Sequence, residues 1–280
     1  MELRQIRVAN ILMVRTIRTL MAVDLPLVGV FDVQDVLVPM LPQDVATLSD
    51  CLLMRDNRRI QMSIRVNFEN NLDELKSKIT EMGGLSIVAL EKSFKALKTQ
   101  DVEIALKVIE GDTAIDKLET EINQFTIWIM AKEAPVSRDL REIIGILKIS
   151  SEIERVADFA VNIAKATIKI GKPKSLLDIT HLEQMKDLSI EMLKKALQSF
   201  LEEKILLAKE VGDLEDQVDQ HSRETYQKLT AYLSEHPEET NQLVQLLFVN
   251  RFLERTADHI TNIAESTAYL IKGQIYDFNS

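Results

Sequence analysis

The chain is short of the residues that build many fold classes. Its 280 residues include one cysteine, eight glycines, six prolines and one tryptophan, and aromatic residues make up 5%. One cysteine, Cys51, excludes an intrachain disulfide and any multi-cysteine zinc or iron–sulfur centre, and it fits a reducing compartment. So few glycines and prolines leave little material for the many turns of an all-β protein. Positive charge is in deficit as well: the net charge is −10, which argues against general nucleic-acid binding and broad adsorption to anionic lipid. Long apolar runs are missing. Ile11 to Leu41 is apolar but is broken by Arg15, Arg18, Asp24, Pro26, Asp32, Asp35 and Pro39, so no stretch reaches membrane-spanning length. The two arginines also stand where a secretory signal needs a clean apolar core. A cytoplasmic location is expected.

What is present favours helix. Leu, Ile, Ala, Glu and Lys dominate, and 46% of residues are hydrophobic, enough for one or two domains with their own cores. Residues 1–66 differ from the rest. They hold eight Arg and no Lys, whereas the other 214 residues hold six Arg and twenty Lys, and they carry the cysteine and half the prolines. Three readings stand side by side: an appended module with an amphipathic anchor from Arg4 to Met21, a flexible extension, or a native start at Met62.

From Asn67 the pattern turns helical. Leu72, Leu75, Ile79, Met82, Leu85, Ala89, Leu90, Phe94 and Leu97 recur mostly at three and four. Asp101 caps a second helix over about 102–132, and Pro135 and Ser137 open a third that reaches about 170. Gly171, Pro173 and Ser175 form a linker, and three more helices are expected over about 178–201, 202–235 and 237–272.

The two halves repeat each other. Glu154-Arg155-Val156-Ala157-Asp158 and Asn162-Ile163-Ala164 in the third helix match Glu254-Arg255-Thr256-Ala257-Asp258 and Asn262-Ile263-Ala264 in the sixth, at an offset of 100 without a gap. Asp112 and Asp116 in the second helix match Glu215 and Asp219 in the fifth, at an offset of 103. The expected architecture is all-α, two tandem three-helix bundles over 67–173 and 174–280.

The chemistry lies in four acidic pairs. Asp112 with Asp116, Glu154 with Asp158, Glu215 with Asp219 and Glu254 with Asp258 are each spaced i, i+4, so each pair shares a helix face with Cβ atoms about 5–6 Å apart. Asn162 and Asn262 extend two of the stripes. Like charges at this spacing cost about 0.2–0.5 kcal/mol per pair, and packed helices lie about 8–10 Å apart. If neighbouring helices face each other, four carboxylates converge and favour a cation. Oxygen donors suit magnesium, manganese, calcium or iron, and zinc where an imidazole joins; His221 and His259 stand in sequence beside the second quartet only. The plainer reading is a solvated acidic face neutralised by Arg155 and Arg255. Trp128 and Phe125 read as core, and His181 and His236 as helix-end residues.

These residues together resemble the PhoU family. The phrases that carry the likeness run from Leu75 to Leu97 with Met82-Gly83-Gly84, then Val108 to Asp112 and Asp116 to Glu119, Pro135-Val136 with Asp139-Leu140-Arg141, Ile146 to Ile149, and Glu154 to Ala164. The likeness covers about Phe68 to Gly273. It implies two three-helix repeats with metal ions or clusters, iron, zinc, manganese or magnesium, at Asp112, Asp116, Glu154, Asp158, Glu215, Asp219, Glu254 and Asp258. It also implies a regulator rather than an enzyme: a cytoplasmic homodimer that acts with the ATPase subunit of the phosphate ABC transporter and a PhoR-type sensor kinase, and reaches the membrane only through them. Phe159 departs from the family's usual His. A ferritin-like di-metal oxidase is the enzyme alternative, but it needs Glu-x-x-His, which the chain lacks. A metal-free helical adaptor is the other.

Overall fold

A computed structural model describes the backbone of residues 43–171 and 176–278, and side chains from Arg65 onward. By its contacts the chain divides into two units, Met1–Met62 and Ser63–Ser280, and the second carries the core described here. The readings of residues 1–42 lie outside the described residues.

Among the described residues six α-helices follow one another: α1 (Gln43–Thr99), α2 (Val102–Glu133), α3 (Arg138–Ile170), α4 (Leu182–Glu202), α5 (Ile205–Glu235) and α6 (Thr240–Lys272). There is no strand among the described residues. α1 begins well before residue 67, where the periodicity starts. No glycine or proline lies between Gln43 and Met82 to interrupt it. Asp101 caps α2 as expected, its Oδ1 accepting from the N–H groups of Glu103 at 2.9 Å and Ile104 at 3.1 Å. Ser137 does not cap α3. It has a φ of 52° and its hydroxyl bonds no backbone N–H of the first turn, because the chain leaving Ala134 and Pro135 reaches the helix through that turn. The last three helices also start later than their sequence limits. A 3₁₀ turn at Leu176–Ile179 precedes α4, Glu203 with φ of 53° separates α4 from α5, and Pro237 opens a 3₁₀ turn before α6.

Apolar spacing explains which faces meet. On α3 the buried residues Ile143, Ile146, Ile149, Ile153, Val156, Ala157, Ala160, Ile163 and Ala164 make a broad stripe, and on α6 Leu243, Leu246, Val249, Leu253, Ala257, Ile260, Ile263 and Ala264 make its counterpart. A broad stripe lets one helix pack on several neighbours. α3 packs on α2 and most extensively on α6, while α6 also packs on α4 and α5. The two repeats thus share one continuous core. Each fully buried Ile or Leu contributes about 1.5–3 kcal/mol of transfer free energy. Two glycines mark close approach between repeats: a Cβ at Gly83 of α1 would stand 2.4 Å from Leu197 Cδ1 of α4, and one at Gly145 of α3 2.5 Å from Leu270 Cδ2 of α6.

Two residues of the expected core sit elsewhere. Trp128 is 44% exposed. It stands one position before the buried Ile129, stacks on Phe125 at 5.6 Å, and carries Lys132 Nζ over its ring at 4.2 Å. Leu85 is likewise exposed, and the inward position beside it belongs to Ser86, whose hydroxyl donates to the Met82 carbonyl.

Candidate functional site

The acidic pairs meet across two helix pairs, one in each repeat. In the first, Asp112 and Asp116 of α2 come into electrostatic reach of Glu154 and Asp158 of α3. Burial, then Asp116 and Asp158, push the Asp112 carboxyl above its ordinary range, against a smaller pull from Lys165. Burial and Asp158 do the same for Glu154, with Arg155 opposing. Arg155 stands on the rim, its Nη1 donating to Asp158 at 2.9 Å and its Nε 3.5 Å from Glu154.

The second quartet is more enclosed. Glu215 of α5 is 7% exposed. Burial, then Asp219 and Asp258, raise its pKa from 4.5 to about 7. Burial also raises Asp258, with Arg255 opposing and Asp219 adding to the rise. Arginines again occupy the rim: Arg223 donates to Asp219 at 3.2 Å, Arg255 lies 3.7 Å from Asp258, and Arg251 pairs with Glu254. Behind Glu254 runs a polar relay. Ser222 Oγ donates to Glu254 at 3.1 Å and accepts from Asn250 Nδ2 at 3.0 Å, while the buried Asn250 Oδ1 has no partner.

Chemically, each quartet is an all-oxygen donor set of four carboxylates whose charges are mutually unfavourable. A hard cation would remove the repulsion and favour the ionised forms, but no three of these carboxylates bring their ligand atoms within 4.8 Å of one another. The arginines give partial compensation in its place.

The imidazoles part company from the acids. His259 Nδ1 donates to Glu152 of α3 at 2.6 Å, and Asn262 Nδ2 donates to the same oxygen at 3.2 Å. At the equivalent place related by the repeat, Phe159 stacks on Phe252 at 6.1 Å. Glu152 was not a sequence candidate, because it lies outside the acid-x-x-x-Asp spacing. His221 turns away from the quartet toward His181, with ring centroids 4.9 Å apart. Among the described residues, His181, His221 and Glu224 are the one group of three His, Cys, Asp or Glu whose ligand atoms all lie within 4.8 Å of one another. The signal for it was available: His221 and Glu224 are spaced i, i+3 on a face other than that of Glu215 and Asp219.

Comparison with known proteins bears on the fold and its repeat. The PhoU domain family matches residues 79–167 and 182–267, one copy in each repeat. The phosphate-specific transport system accessory protein PhoU homolog of Clostridium acetobutylicum is 35% identical over 76% of this chain and 97% of its own length. The protein of the same description from Aquifex aeolicus is 37% identical over 73% of this chain and 92% of its own. The crystal structure of PhoU from Pseudomonas aeruginosa superposes with a TM-score of 0.69 at 28% identity, covering 74% of this chain and all of that one. With both repeats matched and the helical architecture in common, the chain belongs to the PhoU family.

Proposed function

We propose that the protein restrains phosphate uptake and phosphate-responsive signalling by contact, with cations held at its two acidic quartets. Its relatives are accessory proteins of phosphate-specific transport systems. The observation that carries the reading is the doubling itself: two copies of the family domain, each bringing acid pairs from two adjacent helices into electrostatic reach. No helix among the described residues is long and apolar enough to cross a membrane. On this reading the protein works from the cytoplasm as a homodimer, docking on the transporter's ATPase subunit and on a PhoR-type sensor kinase. Divalent or iron-type cations at Asp112, Asp116, Glu154, Asp158, Glu215, Asp219, Glu254 and Asp258 stiffen the helix pairs that present the docking faces. One observation favours a metal-free adaptor instead, namely the rim of arginines that already pairs with the acids.

A deletion strain carrying a phosphate-controlled reporter tests the regulatory role. The reporter is expected to stay active in phosphate-rich medium, and the tagged protein to copurify with transporter or kinase components. A fully repressed reporter with no copurifying component sinks the reading. Elemental analysis of protein purified without added metal decides between the two forms: metal in the wild type that falls in Asp158→Ala/Asp258→Ala supports occupied quartets, and no metal in either supports the adaptor.

A further inference from the structure

The start of α4 meets α5 on a face other than the one that carries the acidic quartet. His181 occupies the position before α4, and its backbone N–H donates to the hydroxyl of the buried Thr225 at 3.0 Å. That bond ties the loop to α5 and holds the His181 ring against the His221 ring, at 4.9 Å between centroids and 26° between planes. Glu224 follows His221 by three residues and shares its face. His181 Nε2 lies 3.1 Å from Glu224 Oε2 and 2.8 Å from Lys228 Nζ. An ammonium can only donate, so this nitrogen offers Lys228 its lone pair and has no proton for the carboxylate. Two electron-rich atoms therefore face each other at hydrogen-bond distance, with the lysine cation at one side. His221 Nδ1 is buried and has no partner at all. Burial, Lys228 and His221 hold the His181 imidazole below its ordinary range, which keeps it in the neutral form that ligates metals.

The first repeat shows what this place looks like as an ordinary ion pair. The family domain begins at 79 in one repeat and at 182 in the other, an offset of 103. Matching side-chain bonds keep the same offset: Ser86 donates to the Met82 carbonyl, and Ser189 to that of Met185. By that offset Lys78 corresponds to His181, Glu121 to Glu224 and Leu118 to His221. Lys78 and Glu121 close a simple bridge at 3.0 Å, and Leu118 packs on the core. The second repeat keeps the carboxylate and replaces both the lysine and the leucine with imidazole.

We propose that His181, His221 and Glu224 form a site for a borderline divalent transition-metal ion, with zinc the expected occupant. Two imidazole nitrogens and one carboxylate oxygen are a zinc donor set, whereas magnesium and calcium call for oxygen throughout. Tetrahedral zinc places its ligands about 3.3 Å apart, from bond lengths of about 2.0–2.1 Å. Ligand atoms already within 4.8 Å need side-chain rotations and the withdrawal of Lys228 to close on it. Three protein ligands leave a fourth position for water or for a group on a partner. The ion clamps the beginning of α4 to α5 and does so only in the second repeat.

Zinc titration of the full chain, stripped with chelator and desalted, is the test, with cobalt(II) as a spectroscopic probe. The wild type is expected to bind one more equivalent of zinc than His181→Ala/His221→Ala. Asp158→Ala/Asp258→Ala is expected to retain that equivalent, which separates this site from the quartets. Bound cobalt should give the visible d–d absorption of a low-coordinate site, absent in the histidine variant. Lys228→Met, which removes the competing ammonium, should tighten zinc about fivefold, the worth of one lost hydrogen bond. Equal zinc stoichiometry and affinity in the wild type and a folded histidine variant overturns the site, as does loss of the equivalent in the acid variant with both histidines intact. Should the histidine variant fail to fold, side-chain imidazole NMR of the wild type decides. Zinc must shift the His181 and His221 resonances, and unshifted resonances overturn the proposal.

Discussion

Glu215 shows how one residue can set the pH response of the whole chain. Its carboxyl ionises near 4.5 in an unfolded chain and near 7 in the folded one, through burial first and then Asp219 and Asp258. Between those values the folded state binds the extra proton, so stability falls as pH rises through the window and levels off above it. A shift of this size is worth about 3 kcal/mol when the whole window is crossed. Burial acts in the same direction on Asp112, Glu154 and Asp258. Urea melts of chelator-treated protein should therefore show a loss of roughly 2 kcal/mol between about pH 5 and about pH 8. Glu215→Gln should flatten much of that slope and exceed the wild type at the alkaline end; a wild type already flat across the range contradicts the account. The acid spacing was legible in the sequence because i, i+4 geometry follows from the helix alone. The fate of the histidines was not. His221 and His259 lie next to the quartet along the chain, yet a step of one or two residues on a helix turns a side chain by about 100° or 200°. Trp128 was misplaced for the same reason: hydrophobicity names a core candidate, but register decides, and Ile129 holds the inward position.

Helices α3 and α6 run antiparallel, since Glu152 lies opposite His259 and Phe159 opposite Phe252. These are repeat-related positions, 152 with 252 and 159 with 259, so the two corners of one seam carry different chemistry. One holds an ion-pairing carboxylate and imidazole, the other two stacked rings. Phe159 thus finds an aromatic partner in Phe252 where His259 finds a carboxylate in Glu152. His259→Phe should cost about 1–2 kcal/mol by removing the shorter of the two bonds to Glu152 and leaving Asn262 as its donor. Adding Glu152→Phe should recover most of that cost by making the second corner aromatic as well. Thermal or denaturant melts of the two single variants and the double variant measure the coupling. Strictly additive losses remove the argument. Helix number and order could be read from the apolar period, from the Asp101 cap and from Pro135. The ends could not, because Leu176–Ile179 and Pro237–Glu239 serve a 3₁₀ turn as readily as the first turn of an α-helix. The early start of α1 was hidden because its first residues show no apolar period.

At the scale of the molecule, the duplication is plain in the sequence but the joining of its halves is not. An offset of 100 shows which residues are equivalent; it does not show that the equivalent helices touch. Contact depends on the breadth of the α3 and α6 stripes and on Gly83 and Gly145, which admit Leu197 and Leu270 from the other repeat. Because the core is shared, residues 63–280 should melt in a single calorimetric transition, with calorimetric and van't Hoff enthalpies equal. A fragment of residues 67–173 should show no cooperative transition, as it exposes the α3 face that α6 covers. Two resolved transitions, or a cooperative fragment, would argue for independent repeats.

The unlike corners of the α3–α6 seam also bear on how the chain has aged since its halves were copies. A hypothetical chain with the first half used twice sets Glu152 against Phe159 at both corners, a carboxylate against a ring with the asparagine as its remaining donor. One with the second half used twice sets Phe252 against His259 at both, an imidazole with no acceptor. At this seam each half thus presents side chains that the other half lacks.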